Sequence, residues 1–296
     1  MDILVVLEEA QGSLHRLSKE AIVGAQELGG KVVALAIGKH CDQVAKECSS
    51  FDLESIITVN HELVSTYNAD GYSDIVKKVI ETNSPKIIVT GHTYQTRDFM
   101  PRVSAALDIP FIPDIISFSD SSFVKQVLNA KLNATTSFST DQVIMSFQSA
   151  AFTEENIIPG SCSATAFDVN LDSSIVRSKS EDPFQEDAGD VDLETAELLV
   201  SVGRGIEKEE NIPMAFELAK VLGAEVSASR PVVDSGWIDS FRQVGSSGSN
   251  VAPKLYFSLG ISGAIQHVVG MKGAKAILAV KVPTDFHNFP FYQMFP

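Results

Sequence analysis

Short apolar runs alternate with amphipathic stretches along the first third of the chain. Residues 3–7, 31–37 and 86–90 are almost entirely apolar, which is the pattern of strands that a parallel sheet buries on both faces. Between them, apolar residues recur with helical spacing at 17–28 and 73–82. This alternation predicts an α/β domain in which helices connect parallel strands by right-handed crossovers.

The pattern changes after residue 123. Up to residue 152, apolar residues alternate with serine and threonine, and the run at 143–147 belongs to this region. Alternation with a period of two predicts antiparallel strands rather than further helix-and-strand units.

The stretch at 91–107 allows two interpretations. It follows the strand at 86–90, and loops at the carboxyl edge of a parallel sheet are where such sheets usually bind ligands. Alternatively, Thr96 caps a helix that begins at Arg97, with Asp98 near the positive end of that helix. The spacing alone favours the cap.

An acidic stretch separates the first pattern from a second one. Residues 181–197 contain eight acidic residues and no basic one, and Pro183 and Gly189 interrupt any helix there. This composition predicts a solvated linker between an N-terminal domain at 1–180 and a second domain at 198–281.

The second domain repeats the helix-and-strand pattern. A helix is predicted from Asn211, a plausible N-cap, to Leu222, where Gly223 ends it. A second mostly parallel sheet flanked by helices is therefore expected, with strands at 198–202, 225–228, 255–259 and 276–280.

Composition and charge narrow the class of protein. A chain of 296 residues with a net charge of −15 can form two domains, and its charge argues against a nucleic acid as partner. No apolar run approaches the roughly 20 residues that span a bilayer, so we expect no direct membrane insertion. The chain opens with a strand rather than a leader, and its three cysteines form no CxxC pair. We expect a reducing compartment, either the bacterial cytoplasm or, in a eukaryote, the mitochondrial matrix.

Four polar segments of the second domain lie beside predicted strand ends. The turn at 260–267 presents backbone N–H groups and the positive end of a helix dipole, which suits a phosphate. It is not GxGxxG, and its glycines could instead let strand and helix pack closely. Taken singly, Arg204 and Arg230 could be surface arginines and 243–253 an ordinary polar, flexible loop. Together the segments bring hydroxyls, amides, two arginines and a histidine to one edge, without a carboxylate pair. Such a set binds a phosphate-bearing cofactor better than it performs acid–base chemistry.

Residues 200–280 closely resemble the FAD-binding domain of electron-transfer flavoprotein alpha subunits, which is Rossmann-like. Residues 1–175 resemble the N-terminal α/β domain of the family more loosely. Five segments of the second domain carry the resemblance in the family's order and spacing: 201–205 (SVGRG), 226–230 (VSASR), 243–248 (QVGSSG), 251–256 (VAPKLY) and 260–267 (GISGAIQH).

The resemblance implies FAD as cofactor and assigns roles to individual residues. Arg230 should lie over the isoalloxazine ring, Ser247 should hydrogen-bond flavin N5, and His267 should approach flavin O2. Ser229 and the turn at 262–264 should hold the pyrophosphate, and Arg204 should contact the nucleotide half. Ser247 stands where the family usually has threonine, and Ser246 where it has glutamine. The full set of implied cofactor contacts is Arg204, Ser229, Arg230, Gln243, Val244, Gly245, Ser246, Ser247, Ser262, Gly263, Ala264, Ile265, Gln266 and His267.

The resemblance also implies partners. It predicts a heterodimer with a beta subunit, electron donors of the acyl-CoA dehydrogenase type in fatty acid β-oxidation, and a quinone reductase as acceptor. The chain would then be an electron carrier rather than an enzyme with its own substrate. An NAD-dependent dehydrogenase and a non-redox nucleotide-binding protein are the alternatives. The first of these would require a GxGxxG motif and a proton donor, and neither is visible.

The last residues depart from the family. Relatives continue with an acidic stretch and a final helix, whereas 282–296 is rich in aromatic residues and lacks a helical or strand period. An altered reading frame or a splice variant would produce such a tail. We therefore expect an incomplete FAD-binding domain, weaker FAD binding and exposed apolar surface.

Overall fold

The computed structural model describes residues 1–10, 12–119, 121–128, 131–178 and 191–280. They form two compact units. The first lies within 1–126 and 133–178, and the second within 191–280, to which 127–128 and 131–132 are also assigned. The predicted linker at 181–197 falls largely outside the described residues, as does the predicted aromatic tail at 282–296, so both stay predictions.

The first unit is built on a nine-stranded, mostly parallel sheet with helices on its faces. The helices are α1 (Arg16–Leu28), α2 (Cys41–Cys48), α3 (Ala69–Asn83) and α4 (Tyr94–Leu107). The strands are β1 (Ile3–Val6), β4 (Val32–Ile37), β5 (Ser55–Val59), β6 (Ile87–Gly91), β7 (Phe111–Ser119), β8 (Ser122–Val127), β9 (Leu132–Thr136), β10 (Val143–Phe147) and β11 (Ala164–Ala166), and a separate small hairpin consists of β2 (Glu9–Ala10) and β3 (Ser13–Leu14). The strand order in the large sheet is β11-β5-β4-β1-β6-β10-β7-β8-β9.

Both faces of the central strands of this sheet are buried, as their apolar sequences predict. Along β1, Ile3 and Val5 belong to one core, and Leu4 and Val6 belong to the other. Successive side chains of a strand point to opposite faces, so each central strand contributes to two helix-covered layers. The near-continuous apolar runs in the sequence follow from this arrangement.

The cap at the start of α4 differs from the prediction. The helix begins at Tyr94, and the hydroxyl of Thr93 accepts a hydrogen bond from the Thr96 backbone N–H at 3.0 Å. Thr93, rather than Thr96, is therefore the N-cap. The side chain of Thr96 is buried and pairs with the hydroxyl of Thr90 at 3.0 Å. The helix thus begins three residues before Arg97, its predicted start.

The prediction of antiparallel strands after residue 123 is right for one strand and wrong for another. Strand β8 pairs antiparallel with β7. Strand β10, however, pairs parallel with both β6 and β7, and all five of its residues are buried. Burial on both faces explains the continuous apolar run at 143–147, which the alternation around it concealed.

The second unit is a four-stranded parallel sheet with helices. Its strands are β12 (Leu198–Val202), β13 (Glu225–Ala228), β14 (Leu255–Leu259) and β15 (Ile277–Val280), in the order β13-β12-β14-β15. Its helices are α5 (Ile212–Leu222), α6 (Arg230–Asp234) and α7 (Ile265–Met271). Two apolar cores, one containing Val200 and the other Leu199, cover the two faces of this sheet. The two mostly parallel sheets with helices confirm the predicted fold class. No helix within the described ranges is long and apolar enough to cross a membrane.

Candidate functional site

A cavity of about 560 Å³ opens in the second unit, where strands β12, β13 and β14 end. This volume lies within the usual range of small-molecule pockets. Parallel strands bring the segments that follow them to one edge of the sheet, so the loops after Val202, Ala228 and Leu259 meet there. The lining residues are Arg204, Gly205, Ser229, Arg230, Pro231, Val244, Gly245, Ser246, Ser247, Gly260, Ile261, Ser262, Ala264, Gln266 and His267.

Most of the residues predicted from the sequence to contact the cofactor line this cavity. Gln243, Gly263 and Ile265 were predicted to contact the cofactor but do not line the cavity. Four lining residues were not predicted: Gly205, Pro231, Gly260 and Ile261. Gly205, Pro231 and Ile261 each neighbour a predicted residue in the sequence. A glycine that lets backbone approach a ligand is the signal that could have included Gly205 and Gly260.

Two turns pack backbone against backbone at the floor of the cavity. Gly260 has a φ of +64°, and a Cβ atom there would lie 2.5 Å from the carbonyl carbon of Gly205. The Gly205 N–H donates to the Gly260 carbonyl at 2.8 Å, and the Gly203 N–H donates to the Leu259 carbonyl at 2.8 Å. Gly260 therefore allows the turn after β14 to pack closely against the turn after β12.

The segment at 243–251 is not an ordinary surface loop. Val244 is buried, and the Val244 N–H donates to the Ala228 carbonyl at 2.9 Å. The Ser246 N–H donates to the Gln266 carbonyl at 2.7 Å, which ties the segment to α7. Of the two interpretations of this segment, the ordinary surface loop does not hold, because these backbone hydrogen bonds fix the segment in the cavity wall.

Gln243 does not line the cavity but hydrogen-bonds to Ser247, which does. Its side-chain amide donates to the Ser247 hydroxyl oxygen at 3.0 Å. Because Ser247 accepts this hydrogen bond, its own hydroxyl hydrogen is available to donate to another group. Gln243 thus orients a cavity-lining hydroxyl without lining the cavity itself.

The two arginines of the cavity are exposed. Arg230 is the first residue of α6, and its Nε atom lies 3.3 Å from an Asp234 carboxylate oxygen, with the Arg230 side chain 67% exposed. Exposed ion pairs one helical turn apart contribute only a few tenths of a kcal/mol. Arg230 can therefore leave Asp234 for a bound anionic group at little cost, so it is both a surface ion pair and a cavity residue.

His267 is the buried histidine of the cavity wall. It is 7% exposed, and its Nε2 atom lies 2.8 Å from the hydroxyl of Tyr256 on β14. Burial lowers the pKa of His267 to about 4, and the backbone of Val244 opposes this shift. The imidazole is therefore neutral at physiological pH.

The buried neutral state of His267 predicts an acid-sensitive stability. The folded chain binds this proton near pH 4, whereas the unfolded chain binds it near the ordinary pKa of 6.5. The free energy of unfolding therefore includes a contribution from neutral His267 that is fully present above pH 6.5. This contribution is lost as the pH falls towards 4, by roughly 3 kcal/mol in total. Urea unfolding between pH 4 and 7 should show a smaller loss of stability for His267→Gln than for the wild type. His40→Gln is the matched control, and parallel curves for His267→Gln and the wild type would contradict the assignment.

The cavity suits a phosphate-bearing redox cofactor. Its lining has two arginines and four serine hydroxyls and no carboxylate. Ser262, Ala264 and Gln266, beside the start of α7, are exposed, and the first N–H groups of a helix have no partner within the helix. Across the described residues, no group of three or more His, Cys, Asp or Glu side chains is arranged to hold a metal ion. A cavity that offers hydrogen-bond donors but no acid–base pair suits a cofactor that itself supplies the reactive group.

Comparison with known proteins identifies the family. Residues 192–272 match the family model of the electron transfer flavoprotein FAD-binding domain, and residues 3–172 match that of the electron transfer flavoprotein domain. The electron transfer flavoprotein subunit alpha of Bacillus subtilis is 31% identical, with 94% of this chain and 87% of the relative covered. The corresponding subunit of Thermoanaerobacterium thermosaccharolyticum is 32% identical over 98% of this chain and 91% of the relative.

A third relative carries a more specific name. The acryloyl-CoA reductase electron transfer subunit beta of Anaerotignum propionicum is 31% identical, with 94% of this chain and 87% of the relative covered. The two matched domains correspond to the two units of the fold, and the FAD-binding domain contains the cavity lined by hydrogen-bond donors. The chain belongs to the electron transfer flavoproteins as an alpha subunit, and its cofactor is FAD.

Proposed function

We propose that this alpha subunit forms a heterodimer with an electron transfer flavoprotein beta subunit and carries electrons between other redox proteins. Its donors would be flavin dehydrogenases of the acyl-CoA dehydrogenase type, as in fatty acid β-oxidation. Its acceptor would be a quinone reductase, which receives the electrons one at a time. The observation that carries the proposal is a cavity with two arginines, four hydroxyls and no carboxylate, in a domain of the FAD-binding family.

A link to acyl-CoA chemistry is supported by a relative. The Anaerotignum propionicum protein, 31% identical to this chain, is named as an electron transfer subunit of acryloyl-CoA reductase. Acryloyl-CoA is an unsaturated acyl-CoA, and its reduction is the reverse of the reaction of an acyl-CoA dehydrogenase. The name therefore supports an acyl-CoA-linked redox partner, and we propose the dehydrogenase direction for this chain.

Bound FAD supplies the electron chemistry, and the residues of the cavity bind it and set its electrostatic surroundings. We propose that Arg230 lies over the flavin ring, that Ser247 donates to flavin N5 and that His267 faces flavin O2. Two further groups would hold the rest of the cofactor: Ser229 and the turn at 262–264 the pyrophosphate, and Arg204 the nucleotide half. Their position around one cavity supports these roles.

Positive charge beside the flavin is the feature that suits a carrier. An anion forming within about 4 Å of a cation is stabilised by several kcal/mol at the effective dielectric of a protein surface. His267 is neutral at physiological pH because of its lowered pKa, so among the described lining residues Arg230 supplies the charge beside the flavin, and Arg204 supplies charge at the nucleotide half. An acid–base residue is not required for this task.

Anaerobic reduction tests the proposed role. The chain would be co-expressed with its beta subunit, purified with FAD, and mixed with an acyl-CoA and a catalytic amount of an acyl-CoA dehydrogenase. The flavin absorption band should bleach in proportion to the acyl-CoA added, and NADH in place of the acyl-CoA and dehydrogenase should leave it unchanged. A flavin that dithionite reduces but no acyl-CoA dehydrogenase reduces would overturn the proposed donor class.

A further inference from the structure

Tyr256 and His267 form a buried hydrogen-bonded pair behind the cavity. Tyr256 lies on β14 with 0% exposure and His267 on α7 with 7% exposure, and their hydroxyl oxygen and Nε2 atom are 2.8 Å apart. The two rings meet edge-on, with centroids 6.0 Å apart. The pair brackets the turn at 260–264, so one hydrogen bond joins the strand before this turn to the helix after it.

The hydroxyl of Tyr256 is a permanent donor. Burial raises the pKa of Tyr256 far above its ordinary value, and the hydroxyls of Ser201 and Ser227 oppose this shift only in part. These two serines are paired in register on β12 and β13, and both are 0% exposed. The phenol therefore keeps its hydrogen throughout the physiological pH range.

The direction of this hydrogen bond depends on the tautomer of the neutral imidazole. The other ring nitrogen, Nδ1, is buried and has no hydrogen-bond partner of normal geometry among the described residues. The Val244 backbone raises the pKa of His267 and opposes the effect of burial only in part. Because a neutral imidazole carries one N–H, a proton on Nδ1 leaves Nε2 as an acceptor for the Tyr256 hydroxyl.

We propose that Tyr256 is the positioning residue of His267: its hydroxyl donates to Nε2, fixes the Nδ1–H tautomer and holds the ring in the wall of the FAD cavity. The relevance of this tautomer to FAD rests on the proposed role of the cavity. The hydrogen bond itself does not, because it is formed entirely by groups of the chain. The hydrogen bond made by one ring nitrogen commonly fixes the tautomer of a functional histidine in this way.

The hydrogen bond also supports the turn that lines the cavity. A net hydrogen bond contributes about 0.5–1.5 kcal/mol, so its loss should weaken FAD binding about two- to tenfold. The apolar ring contact would remain in Tyr256→Phe, which removes only the hydroxyl oxygen. Tyr72→Phe is the matched control, since Tyr72 is a buried tyrosine of the first unit whose hydroxyl donates to the Ile37 carbonyl at 3.2 Å.

Nitrogen NMR of the histidine rings tests the proposal directly. The full chain would be labelled with ¹⁵N in its histidines, purified with FAD and its beta subunit, and studied by long-range ¹H–¹⁵N correlation at pH 7. His267→Gln serves only to assign the signal, since the chain has six histidines. FAD content and reduction by the dehydrogenase would be measured on the same samples.

The expected wild-type result is a protonated Nδ1 and an unprotonated, hydrogen-bonded Nε2 at His267. Tyr256→Phe should shift the Nε2 signal and introduce the Nε2–H tautomer, while Tyr72→Phe should leave both signals unchanged. A protonated Nε2 in the wild type, or an unchanged His267 signal in Tyr256→Phe, would overturn the proposal. If Tyr256→Phe does not fold, the wild-type spectrum still decides the tautomer. A failed reduction assay with the expected spectrum would overturn the proposed function alone.

Discussion

Gly260→Ala is expected to abolish stable FAD binding. Gly260 has a φ of +64°, and an added Cβ would lie 2.5 Å from the Gly205 carbonyl carbon and 2.7 Å from the Ile206 nitrogen. The left-handed conformation costs an alanine about 1–2 kcal/mol, and overpacking against backbone adds about 1–3 kcal/mol. The turn after β14 must then move away from the turn after β12, which changes the floor of the cavity. Flavin absorbance relative to protein absorbance, measured after gel filtration, checks this result.

Gly223→Ala is the matched control for steric crowding. Gly223 ends α5 with a φ of +66°, almost that of Gly260, but an added Cβ would meet nothing within 4 Å. This variant should lose only about 1–2 kcal/mol of stability from the backbone conformation and should keep its FAD. Equal FAD loss in the two variants would show that backbone conformation, and not the contact between the turns, limits the site.

Arg230→Ala is expected to lower the midpoint potential of the bound flavin. A cation about 4 Å from a forming anion contributes ~4 kcal/mol at an effective dielectric near 20, and exposure to solvent reduces that figure. A potential about 50–100 mV more negative follows, since 59 mV corresponds to a tenfold change for one electron. Spectroelectrochemical titration of the FAD-loaded heterodimer measures the difference from the wild type.

The control for this change is an arginine of the first unit. Arg102 forms ion pairs with Asp70 and Asp98, each at 3.1 Å, and does not line the cavity. Arg102→Ala removes the same charge and should leave the midpoint potential within error of the wild type. A potential that does not change in Arg230→Ala would show that Arg230 is only a surface ion pair with Asp234.

The strands of the sheets were predicted well because a strand that is buried on both faces has a nearly continuous apolar sequence. Strands β12, β13 and β14 begin and end at the residues predicted from the sequence. Strand β10 was assigned the wrong direction, since direction depends on which neighbours a strand meets and not on its own residues. The cap of α4 was misplaced because Thr93 and Thr96 both suit an N-cap, and tertiary contacts place Thr96 inside.

The candidate site was predictable where residue type and position after a strand coincide. Arg230 and Ser262 lie two and three residues after the ends of β13 and β14, and both line the cavity. The pair of Tyr256 and His267 was not predictable from pattern, since Tyr256 resembles any other core residue of β14. The same holds for the hydrogen bond from Gln243 to Ser247, which places Gln243 behind the lining rather than in it.

Filling the cavity tests the location of the cofactor most directly. Ala264 is exposed in the cavity wall, and Met214 is an exposed residue of α5 that does not line the cavity. Ala264→Trp and Met214→Trp would each be co-expressed with the beta subunit, and their flavin content and circular dichroism compared with those of the wild type. Both variants should fold, and Ala264→Trp alone should lose the flavin band. A folded Ala264→Trp variant with the flavin content of the wild type would contradict this location of FAD.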